Sequence, residues 1–234
     1  VFSPTDTADS VNHGSELHVD DRAEIRALWT KFGLGASTPA AAYQTLMASA
    51  AGASAWGYSG AVQLAQIAPL GAVAAAMAFT AIPQTFRNLL LQVDARGDTA
   101  AANTGLNIRF AASGVSYDSG ANYDFQTLYA SGATPGAFEA FAQTSLAPIS
   151  VPAASAAAGL SGGGCGIIEN YAGTTFEKRT VVNMVRKQGT AAADLRVALQ
   201  VGYWRNTSPI VAIQLFPTAG NFAVGSTATL YGLP

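Results

Sequence analysis

From about residue 61 onward the apolar residues recur at every second position, and that rhythm leaves little but β-sheet open to the chain. The cleanest run is Leu195, Val197, Leu199, Val201 and Tyr203, alternating with Arg196, Ala198, Gln200, Gly202 and Trp204. Its parity predicts Tyr203 in the core and Trp204 either exposed or in a subunit contact. Leu106, Ile108 and Phe110 alternate with Asn107 and Arg109; Leu89, Leu91 and Val93 alternate with Leu90, Gln92 and Asp94; Val211, Ile213 and Leu215 flank Gln214. Further strands are predicted over 62–67, 72–79, 122–129, 166–171 and 176–185. The uncharged closing stretch, 222–231, reads as a terminal strand by which the chain docks its own end.

Short strands at this density, with no helix-length pattern between them, exclude a βαβ architecture. The expected fold is mainly β, a jelly-roll-like antiparallel β-sandwich over 61–234, preceded by a short N-terminal helical segment within 1–60. One helical piece is predicted inside the sandwich over 136–144, where Phe138 and Phe141 share a face. The Ala- and Gly-rich stretch 152–164 reads as a mobile loop.

Residues 1–19 are polar and aperiodic, the pattern of an extended arm. Asp21 and Glu24 then form a capping pair ahead of Ile25, Leu28, Trp29 and Phe32, and Gly33 stops the run. A second helix is predicted from Thr38-Pro39, with Tyr43, Leu46, Met47 and Ala50 on one face and Gly52 as its end. Helices of about three turns do not hold alone in water, so these pack on the main domain, on symmetry mates or on a larger assembly. Val1 is not an initiator methionine, which predicts processing or excision from a longer chain.

Composition bounds the partners. Charged residues are 11% of the 234 and AVILMFWYC residues 50%, against roughly 25% charged in ordinary soluble domains. Burial between identical subunits accounts for such a surface, so an oligomer is expected. A net charge of -2 with scattered Lys and Arg gives no basic stripe for nucleic acid. The longest uncharged apolar stretch, 71–82, is shorter than the ~20 residues of a membrane helix, so no membrane span is predicted.

The chemistry-bearing residues do not converge. The only histidines, His13 and His18, lie in the polar arm; with Glu16 and Asp20 they offer a remote metal set, but solvated linker is the simpler reading. Cys165 sits in Ser161-Gly-Gly-Gly-Cys-Gly166 and reads as a small residue in a loop, not a nucleophile. Asp118, Asn122 and Asp124 carry the oxygens of a calcium loop without its carboxylate density, so turn chemistry at Asp118-Ser-Gly120 is preferred. Glu139, Glu169 and Glu177 are the acids that a glycan-cleaving pair would draw on, and nothing in their spacing selects two of them. Tyr117, Tyr123 and Tyr129, with Tyr203 and Trp204, are the aromatics available for stacking on sugar. Asn206-Thr-Ser208 matches a glycosylation sequon. No catalytic, cofactor-binding or metal residue is therefore expected.

Four segments together resemble a β-sandwich domain of tailed-bacteriophage virion proteins, found at the ends of tail fibres and spikes. They are Phe79-Thr-Ala-Ile-Pro-Gln-Thr-Phe-Arg-Asn-Leu-Leu-Leu91, Asn122-Tyr-Asp-Phe-Gln-Thr-Leu128, Ile168-Glu-Asn-Tyr-Ala-Gly-Thr-Thr175 and Asn221-Phe-Ala-Val-Gly-Ser-Thr-Ala-Thr-Leu-Tyr-Gly232. The resemblance implies a non-enzymatic, homotrimeric tail-fibre or spike component, exposed on the virion surface for attachment to the host. Its N-terminal segment would contact other virion proteins, and its sandwich would face a host surface glycan. The chain lacks the shaft of a long fibre, which keeps capsid decoration or a head fibre open; a carbohydrate-binding or glycan-degrading module is the third reading.

Overall fold

The computed structural model describes residues 44–48, 54–58 and 60–234. The chain divides into two units, Val1–Ser59 and Gly60–Pro234. In the first, β1 (Gln44–Ala48) and β2 (Ser54–Tyr58) pair antiparallel, with Leu46 opposite Trp56. The helix predicted from Thr38 is thus corrected to a strand over Gln44–Ala48. A short Ala-rich helix is marginal alone, whereas the neighbouring segment with Trp56 and Tyr58 supplies a ladder for the same backbone groups. The helix predicted over 21–32 and the polar arm lie outside the described residues.

The second unit is antiparallel β-structure throughout. Its strands are β3 (Val62–Ile67), β4 (Met77–Phe79), β5 (Asn88–Ala95), β6 (Asn103–Ala111), β7 (Tyr123–Ser131), β8 (Thr134–Gln143), β9 (Leu146–Pro152), β10 (Gly162–Glu169), β11 (Lys178–Lys187), β12 (Leu195–Trp204), β13 (Ala212–Pro217) and β14 (Thr227–Leu233). They form an eight-stranded sheet, β3-β14-β5-β10-β11-β12-β7-β8, and a four-stranded sheet, β4-β13-β6-β9. The only helix among the described residues of this unit is one 3-10 turn, Ala192–Asp194. The closing strand β14 lies inside the large sheet, paired to β3 on one side and β5 on the other.

The small sheet covers the inner face of the large one, and the core fills the gap. Leu106, Ile108 and Phe110 of β6 and Ile213 and Leu215 of β13 are buried on one side; Leu89, Leu91, Ile168, Val182, Met184 and Trp204 are buried on the other. Phe110 and Trp204 meet across the sheets with ring centroids 5.7 Å apart. At Gly202 an added Cβ would fall 2.7 Å from Leu146 Cδ2, so β9 presses directly on β12 there.

Three more expectations are corrected. The predicted helical piece 136–144 is strand up to Gln143: Thr134–Gln143 folds back on β7 through Gly132 (φ 57°), and Phe138 packs on Phe125 with centroids 6.1 Å apart. Tertiary pairing overrides the helical leaning of its alanines. Over 72–79 only Met77–Phe79 is strand, while Ala74 makes an isolated bridge to Phe222, and the closing strand starts at Thr227. The stretch read as a mobile loop is pinned. Arg96 donates to the carbonyls of Ala156 (2.8 Å), Ala157 (2.9 Å) and Leu160 (2.9 Å), and Gly162 already belongs to β10.

Candidate functional site

The outer face of the large sheet is its most unusual surface, because it is apolar where solvent should select polar residues. On β12 the alternation runs opposite to the sequence-based parity. Tyr203 is 42% exposed and Trp204 1%, and Leu195, Val197, Leu199 and Val201 all point outward with Tyr203. The core side carries Ala198, Gln200, Gly202 and Trp204 instead.

Register extends this face across the sheet. Leu90, Ile167, Val181 and Val201 stand in one row on β5, β10, β11 and β12. The next row is Gln92, Cys165, Asn183, Leu199 and Leu128, ending on β7. A third places Val185 beside Val197. Gly163, in line with Val185, has no room for a side chain, since its Cβ would meet the Val93 carbonyl oxygen at 1.9 Å. Beside that bare stretch lies a hollow of about 930 Å³ between the polar Gln92, Asp94 and Asn183 and the apolar Leu128, Val185, Val197 and Leu199. Cys165 lines it as an exposed strand residue, which corrects its placement in a loop.

The exposed Leu128, Ile167, Val185, Leu195, Val197, Leu199, Val201 and Tyr203 together amount to roughly 600 Å² of apolar surface, the scale of the largest patch on a whole monomer. A ligand the size of a sugar would cover only part of it.

The acids selected from the sequence have other work. Asp118 accepts from Gly120 N (2.8 Å), Asn122 Nδ2 (3.0 Å) and Trp204 Nε1 (2.7 Å), so it closes a turn and anchors the buried indole. Burial pushes its pKa up, but these hydrogen bonds and the charge of Arg109 outweigh burial and hold it below 3.8. Asp124 accepts from Ala142 N at 2.7 Å and pairs with Arg205 at 3.5 Å. Tyr123 is buried; its hydroxyl accepts from Phe110 N and donates to the Asp118 carbonyl, and burial pushes the phenol pKa up. Tyr117 is half-buried, and burial raises its pKa too. Tyr129 stacks under the Arg196 guanidinium, 4.0 Å from its ring centre. Asn206 Oδ1 accepts from Ser208 N at 2.8 Å, a local turn within the sequon.

Glu169 and Glu177 come together at one hollow of about 450 Å³, with Phe176, Arg179 and Tyr203; Glu139 lies on β8, opposite Gln126. Arg179 grips Glu169 with two donors. His13, His18, Glu16 and Asp20 lie outside the described residues. Among the described residues no three His, Cys, Asp or Glu side chains form a metal-binding group.

Comparison with protein-family models, curated proteins and solved structures finds no match to this chain. The fold and this surface therefore carry the reading.

Sequence reasoning missed Lys178, which is fully buried between the sheet and its end loops. Its ammonium donates to the carbonyls of Gly173, Phe176 (3.3 Å) and Thr207 (3.0 Å), tying two loops to β11, and burial lowers its pKa. The alternation from Lys178 to Lys187 would have placed it inward with Thr180 and Val182, had charge not argued against burial.

Proposed function

We propose that the chain is a non-enzymatic structural subunit of a virion shell, built as a jelly roll and packed against neighbouring copies through the outer face of β11, β12 and β7. The nested pairing supports the jelly roll: β3 with β14, β4 with β13, β5 with β10 and β6 with β9. The pairs β14–β5 and β13–β6 roll these hairpins into two sheets, and β7–β8 and β11–β12 are additions that widen the large one. Jelly rolls serve viral capsids, lectins and cupins. Among the described residues, the hollow between the sheets beside Leu91, Ile108, Ile168 and Met184 holds about 20 Å³, on the order of one water, which is too small for a ligand.

The observation that carries the reading is the apolar outer face, where Leu128, Ile167, Val197, Leu199, Val201 and Tyr203 stand exposed together. A neighbouring copy is the occupant proposed, since ~600 Å² of apolar surface is most of the ~800 Å² each partner contributes to a standard interface. The low overall charge points the same way. A homotrimer is the smallest assembly proposed, in keeping with the phage-like segments. Those segments support a tail-fibre tip as the second placement, and they fall on β4–β5, β7, the β10–β11 turn and β14.

Light scattering on the full chain and on Val197→Lys tests this. The wild type should form trimers or larger particles, and the variant should be a folded monomer. A wild type that stays monomeric at micromolar concentration, or a variant that assembles equally well, refutes the proposal. Electron microscopy of particles containing the protein separates shell from tail.

A further inference from the structure

We propose that Arg186 and Arg196 form a binding site for a phosphate-type oxyanion at one end of the large sheet. The two arginines face each other directly on adjacent strands, β11 and β12. Like charges in that relation repel. Arg186 is only 9% exposed, and a buried cation is retained at heavy cost unless something compensates it.

Among the described residues the compensation is incomplete. The ion pairs there are Arg179–Glu169 and Arg205–Asp124, so among these residues neither Arg186 nor Arg196 has an acid within ion-pair distance. The Nε atoms of both are buried without a hydrogen-bond acceptor. Arg186 Nη1 donates to Ser150 Oγ, and Arg196 has the Tyr129 ring beneath it. Asp194, the acid whose charge acts on Arg186, accepts from Ala191 N at 2.9 Å and from the Gln188 amide at 3.4 Å. Burial and the neighbouring Arg196 both disfavour the Arg186 charge.

Two arginines facing each other across adjacent strands, each with an unused Nε–H donor, and the Ser150 hydroxyl beside one of them match a tetrahedral oxyanion, which takes several donors and neutralises both cations at once. Chloride, a single-point acceptor, satisfies the forks less well. The bound ion would fasten β11 to β12 and to Ser150 of β9, so the site is a structural one and does not depend on whether subunits associate.

Inorganic phosphate is the probe. Thermal unfolding of the full chain is measured in phosphate and in chloride at equal ionic strength, with 31P line width of phosphate as a second readout. The wild type should unfold several degrees higher in phosphate and broaden the 31P line. Arg186→Met should lose both effects and be at least as stable as wild type in chloride, because an uncompensated charge has been removed. If Arg186→Met does not fold, Arg196→Met decides by the same two readouts. Equal shifts in wild type and variant, or no shift in the wild type with an unbroadened line, overturn the proposal.

Discussion

The indole Nε1 of Trp204 donates to Oδ2 of Asp118 across 2.7 Å, joining the last residue of β12 to the loop before β7. The bond accounts for two facts at once. It gives the one polar atom of a buried Trp a partner, and it turns an apparent calcium ligand into a structural anchor. Phe110 and Tyr123 pack around the same ring, with centroids 5.7 Å and 6.5 Å from it.

Asp118→Ala should therefore destabilise the domain by about 2 kcal/mol, the worth of a hydrogen bond to a charged group with its donors left unpaired. Because the folded pKa of Asp118 lies below 3.8, its linked stabilisation is present above that value. It is lost as pH falls through the folded value, where the native state must take up the proton. Urea unfolding at pH 7 and near pH 3 checks this: the gap between wild type and variant should narrow in acid. An unchanged gap would mean that the carboxylate charge contributes nothing.

The inverted face of β12 predicts opposite consequences for neighbours in sequence. Trp204→Ala should cost about 3–5 kcal/mol by emptying a core site. Tyr203→Ala should change monomer stability by less than about 1 kcal/mol while weakening association. Denaturant midpoints of the two variants, measured in a Val197→Lys background that keeps both monomeric, separate the effects. Equal losses would place both side chains in the core.

That inversion shows what the sequence could and could not reveal. The limits of β12 were legible, since period-two alternation from Leu195 to Trp204 marks a strand wherever it lies. Its facing was not, because hydrophobicity identifies the core side only when the other side is wet. Here Leu, Val and Tyr make the open face, and Ala198, Gln200 and Gly202 make room for β9. The strand β9 was overlooked because Pro148 and Pro152 interrupt it, which is tolerable only on an edge such as the one it occupies. Among the candidate site residues, the turn role of Asp118 was legible from Asp-Ser-Gly. Its bond to Trp204 was not, because 86 positions separate the two.

Arg96 makes a further test of local order. Its guanidinium gathers carbonyls from a stretch whose Ala and Gly content alone would leave it loose. Arg96→Met should raise amide hydrogen exchange across 154–161 by at least tenfold, equivalent to about 1.4 kcal/mol of lost local protection, and leave exchange in β11 and β12 unchanged. Uniform acceleration would instead signal global destabilisation.

Cys165 reports on the proposed interface because it lies exposed in the outer hollow, opposite Gln92 on one strand and Asn183 on the other. A maleimide should label it readily in the Val197→Lys monomer and at least tenfold more slowly in assembled wild type, since a neighbouring copy seated on this face excludes the reagent. Labelling at equal rates would place the subunit contact elsewhere.

Lys178 yields the last prediction, and its sign is fixed by burial. Desolvation lowers its folded pKa below the ordinary 10.5, so between those two values the unfolded chain binds more protons than the native one. Stability from this group must then rise with pH across that window, and below the folded pKa the full penalty of the buried charge remains. Lys178→Met removes that penalty but leaves the carbonyls of Gly173, Phe176 and Thr207 without their donor, at a cost of about 1–3 kcal/mol for each group that water cannot reach. The variant should be less stable than wild type at pH 7, with the deficit growing as pH approaches 10. Chemical unfolding of both proteins at pH 7, 8.5 and 9.5 measures the difference, in which the tyrosine titrations common to both chains cancel. A deficit that shrinks with pH would show that the ammonium charge itself, and not merely its N–H groups, holds the two loops.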